Sequence, residues 1–380
     1  MTKTNSLGIY VHIPFCMKKC GYCDFISFDK KSSQERHEYV KELIKEIESY
    51  GDNIGGDYTV DTVFLGGGTP SILNSESIQE ILDRLKVSFK MAADTEITIE
   101  ANPGTISEEK LRRYLAAGIN RLSIGVQSFD DDLLSLLGRV HGEKEAEEAY
   151  KIAREVGFDN INLDLMFAIP TQTMDKWESS LRELIDLNPE HVSFYGLSYE
   201  EGTPFDQARK GREIVPIDDS LDRRMYKKGI SLLSNSGYEH YEISNMAKPG
   251  SQCKHNLKYW GMDDYLGLGI GAHSFIKGKR FSNTISWDQY FSVNKIETEH
   301  INTEYDNMSE YIFTGMRKNT GISFQNFREK FERDYFDYIG QRKEQLLEYR
   351  EAGLLFCDID GMHFTEAGID LSNLILADLM

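Results

Sequence analysis

The segment YVHIPFCMKKCGYCDF, residues 10–25, places three cysteines within eight residues, directly after a run of strand-forming side chains. Cys16, Cys20 and Cys23 follow the spacing C-x3-C-x2-C. A structural zinc site normally has four protein ligands, whereas three thiolates hold three irons of a cubane cluster and leave the fourth iron open to a small molecule. The spacing therefore predicts an iron–sulfur site. A structural zinc site completed by His12 or by a distant cysteine is the alternative.

The remaining cysteines, Cys253 and Cys357, lie far from this segment. Because the chain has five cysteines in 380 residues, a disulfide scaffold is disfavoured and a metal site in the cytosol is favoured. The net charge of −19 counts against general nucleic-acid binding. No apolar run approaches the ~18 residues that a bilayer-spanning helix needs, and the N-terminus lacks the pattern of a secretory signal.

Short β-branched or aromatic runs alternate with helical patterns through the first two-thirds of the chain. Six strands are predicted, at residues 7–13, 62–67, 96–102, 121–127, 160–168 and 191–197. Helices are predicted at residues 34–50, 75–89, 107–117, 143–156, 174–187 and 218–236. Such alternation is typical of a parallel sheet, either open or closed into an incomplete barrel, with functional groups at the C-terminal ends of the strands.

The alternation of strand and helix patterns ends at about residue 240, so we predict a second, smaller domain over residues 241–380. Residues 245–300 are predicted to be loop-rich. Helices follow at 309–318, 324–338, 341–352 and 371–380, and a hairpin turns at Asp360 and Gly361 between 354–359 and 362–365. These patterns indicate an α+β module with a winged-helix-like end.

The cysteine spacing is the signature of the radical S-adenosylmethionine (SAM) superfamily. Further motifs resemble the branch that contains oxygen-independent coproporphyrinogen III oxidases and the HemW family of heme chaperones. They are GGGTPS at 66–71, EANPG at 100–104, GINRLSIGVQSF at 118–129, LGRVH at 137–141 and NLDLM at 162–166. The resemblance covers nearly the whole chain. It implies an α/β fold in which residues 1–240 form an incomplete (β/α)6 radical SAM TIM-type barrel, with a [4Fe–4S] cluster on Cys16, Cys20 and Cys23 and with bound SAM.

Nine positions match residues that contact SAM in this branch. They are Tyr10, Tyr22, Gly67, Gly68, Thr69, Glu100, Gln127, Arg139 and Asp164. Their chemistry is compatible with this role, since glycines let a ligand approach the backbone and an arginine fork pairs with a carboxylate. Glu100 and Asp164 stand in otherwise apolar strands, where an unpaired carboxylate is costly. His12 and His141 are predicted to be structural.

Two departures from the oxidases favour the chaperones. The oxidases resemble C-x3-C-x2-C-x-C, whereas this chain has Phe25 in place of the fourth cysteine. They also carry a longer N-terminal extension than the 15 residues that precede Cys16 here.

The segment HNLKYW, residues 255–260, resembles the H-N-x-x-Y-W motif that HemW-type proteins use for heme. Imidazole is a good axial ligand of heme iron, so we predict that His255 binds heme. The two following aromatic residues are then expected against the porphyrin, and Lys254 and Lys258 near its propionates. A buried histidine that caps a loop is the alternative. Cys253 is a further thiolate candidate and is more simply a bystander.

The sequence thus predicts a cytoplasmic heme chaperone on a radical SAM scaffold, which binds heme and transfers it to acceptor proteins. The resemblance suggests membrane-bound respiratory enzymes as acceptors, and hence a place at the membrane surface. The alternative is the anaerobic oxidative decarboxylation of coproporphyrinogen III to protoporphyrinogen IX. A radical SAM enzyme that modifies RNA or protein is a third class. Whether SAM is cleaved, and how many copies assemble, stays open.

Overall fold

The computed structural model describes residues 5–380, and six parallel strands form the centre of its main sheet. They are β1 (Asn5–Ile13), β2 (Tyr58–Gly67), β3 (Lys90–Ala101), β4 (Arg121–Gln127), β5 (Ile161–Phe167) and β6 (His191–Gly196). Each strand pairs in parallel with the next one along the chain. The predicted α/β architecture is confirmed, although β2 and β3 begin earlier than their apolar runs indicate.

Six crossover helices connect these strands, and two further helices follow β6. They are α1 (Ser33–Ile54), α2 (Ser75–Ser88), α3 (Glu108–Ala117), α4 (Asp131–Leu137), α5 (Glu143–Val156), α6 (Met174–Leu187), α7 (Pro204–Lys210) and α8 (Asp219–Asn235). As the sequence indicates, α3 begins after Ser107, whose hydroxyl accepts the backbone N–H of Lys110. It ends at Gly118, which adopts a φ of +98° that glycine accommodates without strain. Short 3-10 turns follow β2 and β3, at Pro70–Ile72 and Pro103–Thr105.

The prediction that residues 245–300 are loop-rich is wrong, because this region extends the main sheet at both ends. Its elements, with the strand before them, are β7 (Glu239–Glu242), β8 (Asn245–Ala247), α9 (Lys254–Gly261), β9 (Tyr265–Leu268), β10 (His273–Ile276), β11 (Lys279–Asn283), α10 (Trp287–Tyr290) and β12 (Ile296–Ile301). β9 pairs in parallel with β1, and β8 pairs antiparallel with β6. Strands of three to six residues are too short to show a clear alternation of side chains.

The sheet has twelve strands in the order β12-β11-β10-β9-β1-β2-β3-β4-β5-β6-β8-β7. It therefore crosses residue 240, and both of its flanks come from the second predicted domain. The division of the chain into 1–240 and 241–380 stays a prediction.

The last part of the chain surrounds a separate hydrophobic core. Its elements are α11 (Glu304–Gly315), β13 (Ile322–Ser323), α12 (Phe324–Phe331), α13 (Tyr335–Ile339), a 3-10 turn (Gly340–Arg342), α14 (Lys343–Glu351), β14 (Leu355–Cys357), β15 (Gly361–Phe364), α15 (Glu366–Ile369) and α16 (Ser372–Leu379). The predicted helix 324–338 is two helices, since Glu332 breaks it with a φ of +53°. The hairpin at Asp360 is confirmed. Within residues 5–380, no helix combines the length and the apolar character of a membrane span.

Candidate cluster and ligand site

The loop after β1 carries the three cysteines and is closed by backbone hydrogen bonds. The N–H of Cys16 donates to the carbonyl of Phe28 at 3.1 Å, and the N–H of Phe28 donates to the carbonyl of Pro14 at 2.8 Å. All three thiols are half-buried and free. Burial raises the pKa of the Cys23 thiol to about 11. A bound metal centre is the natural means of keeping such thiols deprotonated.

The spacing of the thiols separates a cluster from a zinc site. Thiolates at ~2.3 Å from one zinc ion lie about 3.8 Å apart in tetrahedral geometry. Among the described residues, the sulfur atoms of Cys16, Cys20 and Cys23 do not all come within 4.8 Å of one another. His12 also has no nitrogen to offer, since Nε2 donates to the carbonyl of Ile26 and Nδ1 accepts from Tyr10, both at 2.9 Å. This wider spacing agrees with the prediction of a cluster on these three cysteines.

A cavity of about 410 Å³ extends from the cysteine loop across the C-terminal ends of the parallel strands. Eight of the nine predicted SAM residues line it: Tyr22, Gly67, Gly68, Thr69, Glu100, Gln127, Arg139 and Asp164. Tyr10 lies at an adjoining cavity of about 250 Å³, which shares Glu100 and Asp164 with the first. The structure thus brings the predicted residues together from five strands and three loops.

Two carboxyl groups line this cavity, and burial destabilises the ionised form of each. Glu100 accepts the N–H of Gly67 at 3.1 Å, and Asp164 accepts an amide hydrogen of Asn162 at 2.7 Å. Burial raises the pKa of Glu100 to about 8, and the nearby Asp164 contributes to the shift. Burial also raises the pKa of Asp164. A cationic ligand would stabilise the ionised form of both groups, and SAM carries an ammonium and a sulfonium.

Arg139 links the strand ends to the cysteine loop. Its guanidinium donates to the Asn102 side chain at 2.5 Å and the Gly125 carbonyl at 2.7 Å, and one N–H lies 3.8 Å from the sulfur of Cys20. Its Nε is buried and has no hydrogen-bond partner among residues 5–380. A buried donor without an acceptor is costly, so this atom is suited to an anionic ligand group. The prediction that Arg139 pairs with a ligand carboxylate fits this geometry.

The glycines after β2 are required by packing as well as by access for a ligand. Gly67 has a φ of +112°, and a Cβ there would lie 2.4 Å from the ring of His12. A Cβ on Gly68 would lie 2.7 Å from the carbonyl oxygen of Phe15. The loop therefore packs directly on β1, which fixes the cysteine loop against Thr69. The Thr69 hydroxyl lies 3.8 Å from the Cys16 sulfur.

His255 lies in α9, beside the smaller cavity. Its Nδ1 is hydrogen-bonded to the Thr62 hydroxyl at 2.8 Å and its Nε2 to the Tyr259 hydroxyl at 2.9 Å. The ring is stacked on Phe64 and only 1% exposed, and burial lowers the pKa of His255 to about 3. Neither nitrogen is free in this conformation, so the geometry does not fit a heme iron. The assignment of His255 as a heme ligand stays a prediction that requires the Tyr259 hydroxyl to leave.

Comparison with known proteins assigns the family. The radical SAM superfamily model matches residues 10–184, and the HemN C-terminal domain model matches residues 302–371. The heme chaperone HemW of Bacillus subtilis (strain 168) is 38% identical over 372 residues, which cover 96% of each chain. The heme chaperone HemW of Escherichia coli (strain K12) is 44% identical over 72% of this chain and 71% of its own. The chain belongs to the HemW family.

The fold of this HemW-family chain is also close to a solved structure. Coproporphyrinogen III oxidase (HemN) from Escherichia coli superimposes with a TM-score of 0.86 at 25% identity, over 99% of this chain and 90% of that chain. The coproporphyrinogen III oxidase and this HemW-family chain therefore share one scaffold, so the fold alone does not distinguish the oxidase function from the chaperone function.

Phe25, which stands where the sequence resemblance places a fourth cysteine in the oxidases, is 63% exposed. It borders the 410 Å³ and 250 Å³ cavities and a third one of about 360 Å³. A large aromatic ring that stays exposed at the meeting point of three cavities is a feature that packing alone does not explain. In this HemW-family chain it is available to a ligand.

Sequence reasoning missed several polar residues of the cavity. They are Asn102, Ser123, Ser193, Tyr195 and Asn256. Asn102 donates to Thr69 at 3.0 Å and accepts from Arg139, so it connects two predicted residues. Tyr195 donates to Gln127 at 2.9 Å, and Gln127 itself has a φ of +69°, which is uncommon outside glycine. For Asn102 and Tyr195 the available signal was position, since both lie at the C-terminal end of a parallel strand.

The prediction that Lys258 meets a heme propionate is wrong, because this side chain is buried in an ion pair. Its Nζ lies 2.8 Å from Asp61, and the lysine is 5% exposed. Lys254 is exposed and lies 3.4 Å from Asp94. Glu96 accepts the N–H groups of Lys254 and His255 at the start of α9, at 3.0 and 3.1 Å.

Proposed function

We propose that this chain is a heme chaperone, which holds a [4Fe–4S] cluster and SAM in its barrel and passes heme to acceptor proteins. The observation that carries this proposal is the 38% sequence identity with the heme chaperone HemW of Bacillus subtilis (strain 168), in an alignment that covers 96% of both chains. The cavity that joins the cysteine loop to Glu100, Arg139 and Asp164 supports the cofactors.

In this proposal each group of the cavity has one task. Cys16, Cys20 and Cys23 hold three irons and leave the fourth iron for SAM. Arg139 binds a carboxylate with its Nε, which has no partner among residues 5–380. Glu100 binds a cationic or hydroxyl group, and Asp164 binds the ribose hydroxyls. When bound and reduced, the cluster supplies an electron to the sulfonium of SAM. Gly67, Gly68, Thr69, Gln127, Tyr10 and Tyr22 complete the walls of the SAM site.

Oxidative decarboxylation of coproporphyrinogen III is the second candidate function, since the scaffold resembles that of HemN. Phe25 in place of a fourth cysteine counts against it. Incubating the reconstituted protein anaerobically with coproporphyrinogen III, SAM and a reductant should give no protoporphyrinogen IX. Formation of that product would show that the chain is an enzyme of porphyrin synthesis.

Heme titration of the reconstituted protein, with and without SAM, tests the chaperone function directly. We expect a saturable change in the heme absorbance and subsequent transfer of heme to an apo-acceptor such as apomyoglobin. Free hemin at the same concentration serves as the control for spontaneous uptake. Heme that binds but does not leave would contradict a chaperone, and the absence of saturable binding would contradict the function altogether.

We place this activity in the cytoplasm, with acceptors among membrane-bound respiratory enzymes. The support is chemical, because thiols that must bind a cluster need a reducing compartment. Fractionation with antibody against the chain should find it in the cytosol and on washed membranes that contain such acceptors.

A further inference from the structure

Asn102 lies between two side chains that point at cysteine sulfurs. It directly follows β3 and lines the 410 Å³ cavity. The Thr69 hydroxyl lies 3.8 Å from the sulfur of Cys16. One guanidinium N–H of Arg139 lies 3.8 Å from the sulfur of Cys20. The Asn102 side chain is hydrogen-bonded to Thr69 at 3.0 Å and to Arg139 at 2.5 Å, so one amide contacts two donors that reach predicted cluster ligands.

Arg139 determines the orientation of this amide. A guanidinium has N–H donors and no acceptor, so the Asn102 atom that faces it is the carbonyl oxygen Oδ1. The amide nitrogen Nδ2 then faces Thr69 and donates to its hydroxyl oxygen. The hydroxyl hydrogen of Thr69 is left to point at the sulfur of Cys16. The hydrogen bonds therefore run in one direction, from Arg139 through Asn102 and Thr69 to the sulfur.

We propose that Asn102 is a positioning residue that raises the reduction potential of the cluster. The inference rests on the proposed function, which places a [4Fe–4S] cluster on the three cysteines. Reduction adds an electron to the cluster, and N–H and O–H groups directed at its sulfur atoms stabilise the added negative charge. Because Asn102 holds two such donors in place, it makes the cluster easier to reduce.

The backbone of Asn102 is held independently of its side chain. Its N–H donates to the Ser71 hydroxyl at 3.3 Å. Its carbonyl accepts from the N–H and the hydroxyl of Thr105, at 2.9 and 2.7 Å. The amide can thus be removed by substitution while these hydrogen bonds keep the end of β3 in place.

Gly125 leaves room for the contact between Asn102 and Arg139. Its carbonyl accepts from the guanidinium at 2.7 Å. A Cβ on Gly125 would lie 3.1 Å from Oδ1 of Asn102 and 3.4 Å from Nη2 of Arg139. Even a methyl group at this position would crowd the contact, so the glycine of β4 supports the same arrangement.

The test measures the midpoint potential of the cluster in the reconstituted full-length protein, by redox titration followed by electron paramagnetic resonance in the absence of SAM. Asn102→Ala should lower the ratio of reduced to oxidised cluster about tenfold at a given potential, which is about 59 mV for a one-electron couple. Thr69→Val removes the hydroxyl, keeps the branched shape and should shift the potential in the same direction. The matched control is Asn120→Ala, because the Asn120 amide bonds the backbone of Ile97 and Thr95 outside the three cavities. This control should leave the potential unchanged.

The double variant distinguishes a positioning role from a general loss of structure. Because Asn102 acts partly through Thr69, the shift in the double variant should be smaller than the sum of the two single shifts. Additive shifts would overturn the inference, and so would an unchanged potential in either single variant or an equal shift in Asn120→Ala.

Iron and sulfide analysis of the same samples separates this inference from the proposed function. Asn102→Ala should keep the wild-type content of both. Their loss from this variant would overturn the inference, because the residue would then be required for cluster assembly. If the unaltered protein binds neither iron nor sulfide, the proposed cluster fails as well.

Discussion

The cavity at the strand ends and the surroundings of α9 both contain buried charged residues, but these residues differ in whether their hydrogen bonds and charges are satisfied. In the cavity, Glu100 has a raised pKa and the Nε of Arg139 has no partner among residues 5–380. Around α9, His255, Lys258 and Glu96 are buried and satisfy one another or their neighbours. Groups that stay unsatisfied reduce stability unless a ligand completes them, whereas satisfied groups maintain the fold. The difference supports the prediction that Glu100 and Arg139 bind a ligand, whereas His255, Lys258 and Glu96 stabilise the fold.

Removal of the cluster ligands should have the largest effect. Alanine at Cys16, Cys20 or Cys23 should reduce the iron and sulfide bound after reconstitution to the background level, since two thiolates do not retain a cubane cluster. The matched control is Cys357→Ala, a half-buried cysteine in β14 that should leave the iron content unchanged. Full iron content in the Cys20 variant would break the ligand assignment.

Arg139→Lys should lower the affinity for SAM by about tenfold or more, measured by calorimetry on the reconstituted protein. Lysine keeps the charge and loses the planar fork that reaches Asn102, Gly125 and the ligand at once. Arg112→Lys is the control, because Arg112 forms only an exposed pair with Glu108. Equal SAM affinities in the two variants would mean that Arg139 stabilises the fold and does not bind SAM.

Lys258→Met should lower the free energy of unfolding by about 2 kcal/mol, because it leaves Asp61 without its buried counter-ion while keeping the apolar volume. Lys254→Met, four residues earlier on the same helix, removes only an exposed pair and should change it by less than about 0.5 kcal/mol. Urea denaturation of the two variants measures both values. Equal losses would show that the pairs at α9 are not what stabilises this wall.

Glu100→Gln, in contrast to Lys258→Met, should raise the free energy of unfolding. The folded state raises the pKa of Glu100 from 4.5 to about 8, so the wild type loses stability as the pH rises through this window. We expect the glutamine variant to be more stable than the wild type by up to about 4 kcal/mol at pH 8 and little different below pH 4.5. Its SAM affinity should fall at the same time. A variant that is less stable at pH 8 would place Glu100 with the structural residues.

Much of the fold was predictable because the six parallel strands are long enough for apolar runs to mark them, as in residues 121–127 of β4. β9 was not predictable, since it has four residues and pairs with β1, which lies far away in the chain. β10 pairs with its neighbours β9 and β11, but its four residues are too few to show an alternation of side chains. The predicted cluster ligands, Cys16, Cys20 and Cys23, lie within eight residues of sequence, so their spacing is visible without the structure. The burial and hydrogen bonding of His255 could not be predicted, because they depend on Thr62, which lies far from it in sequence. Lys258 was misjudged for the same reason, through Asp61.

The pairing of β1 with β9 has a consequence for biosynthesis. Gly8 and Tyr265 are partners in this ladder, so one side of the strand that precedes the cysteine loop is complete only after residue 268 has left the ribosome. Until then β1 is an edge strand with unpaired N–H and C=O groups. Contacts between such distant segments form late in folding. A nascent chain that stalls before β9 therefore exposes an adhesive strand edge beside the loop that carries the three thiols.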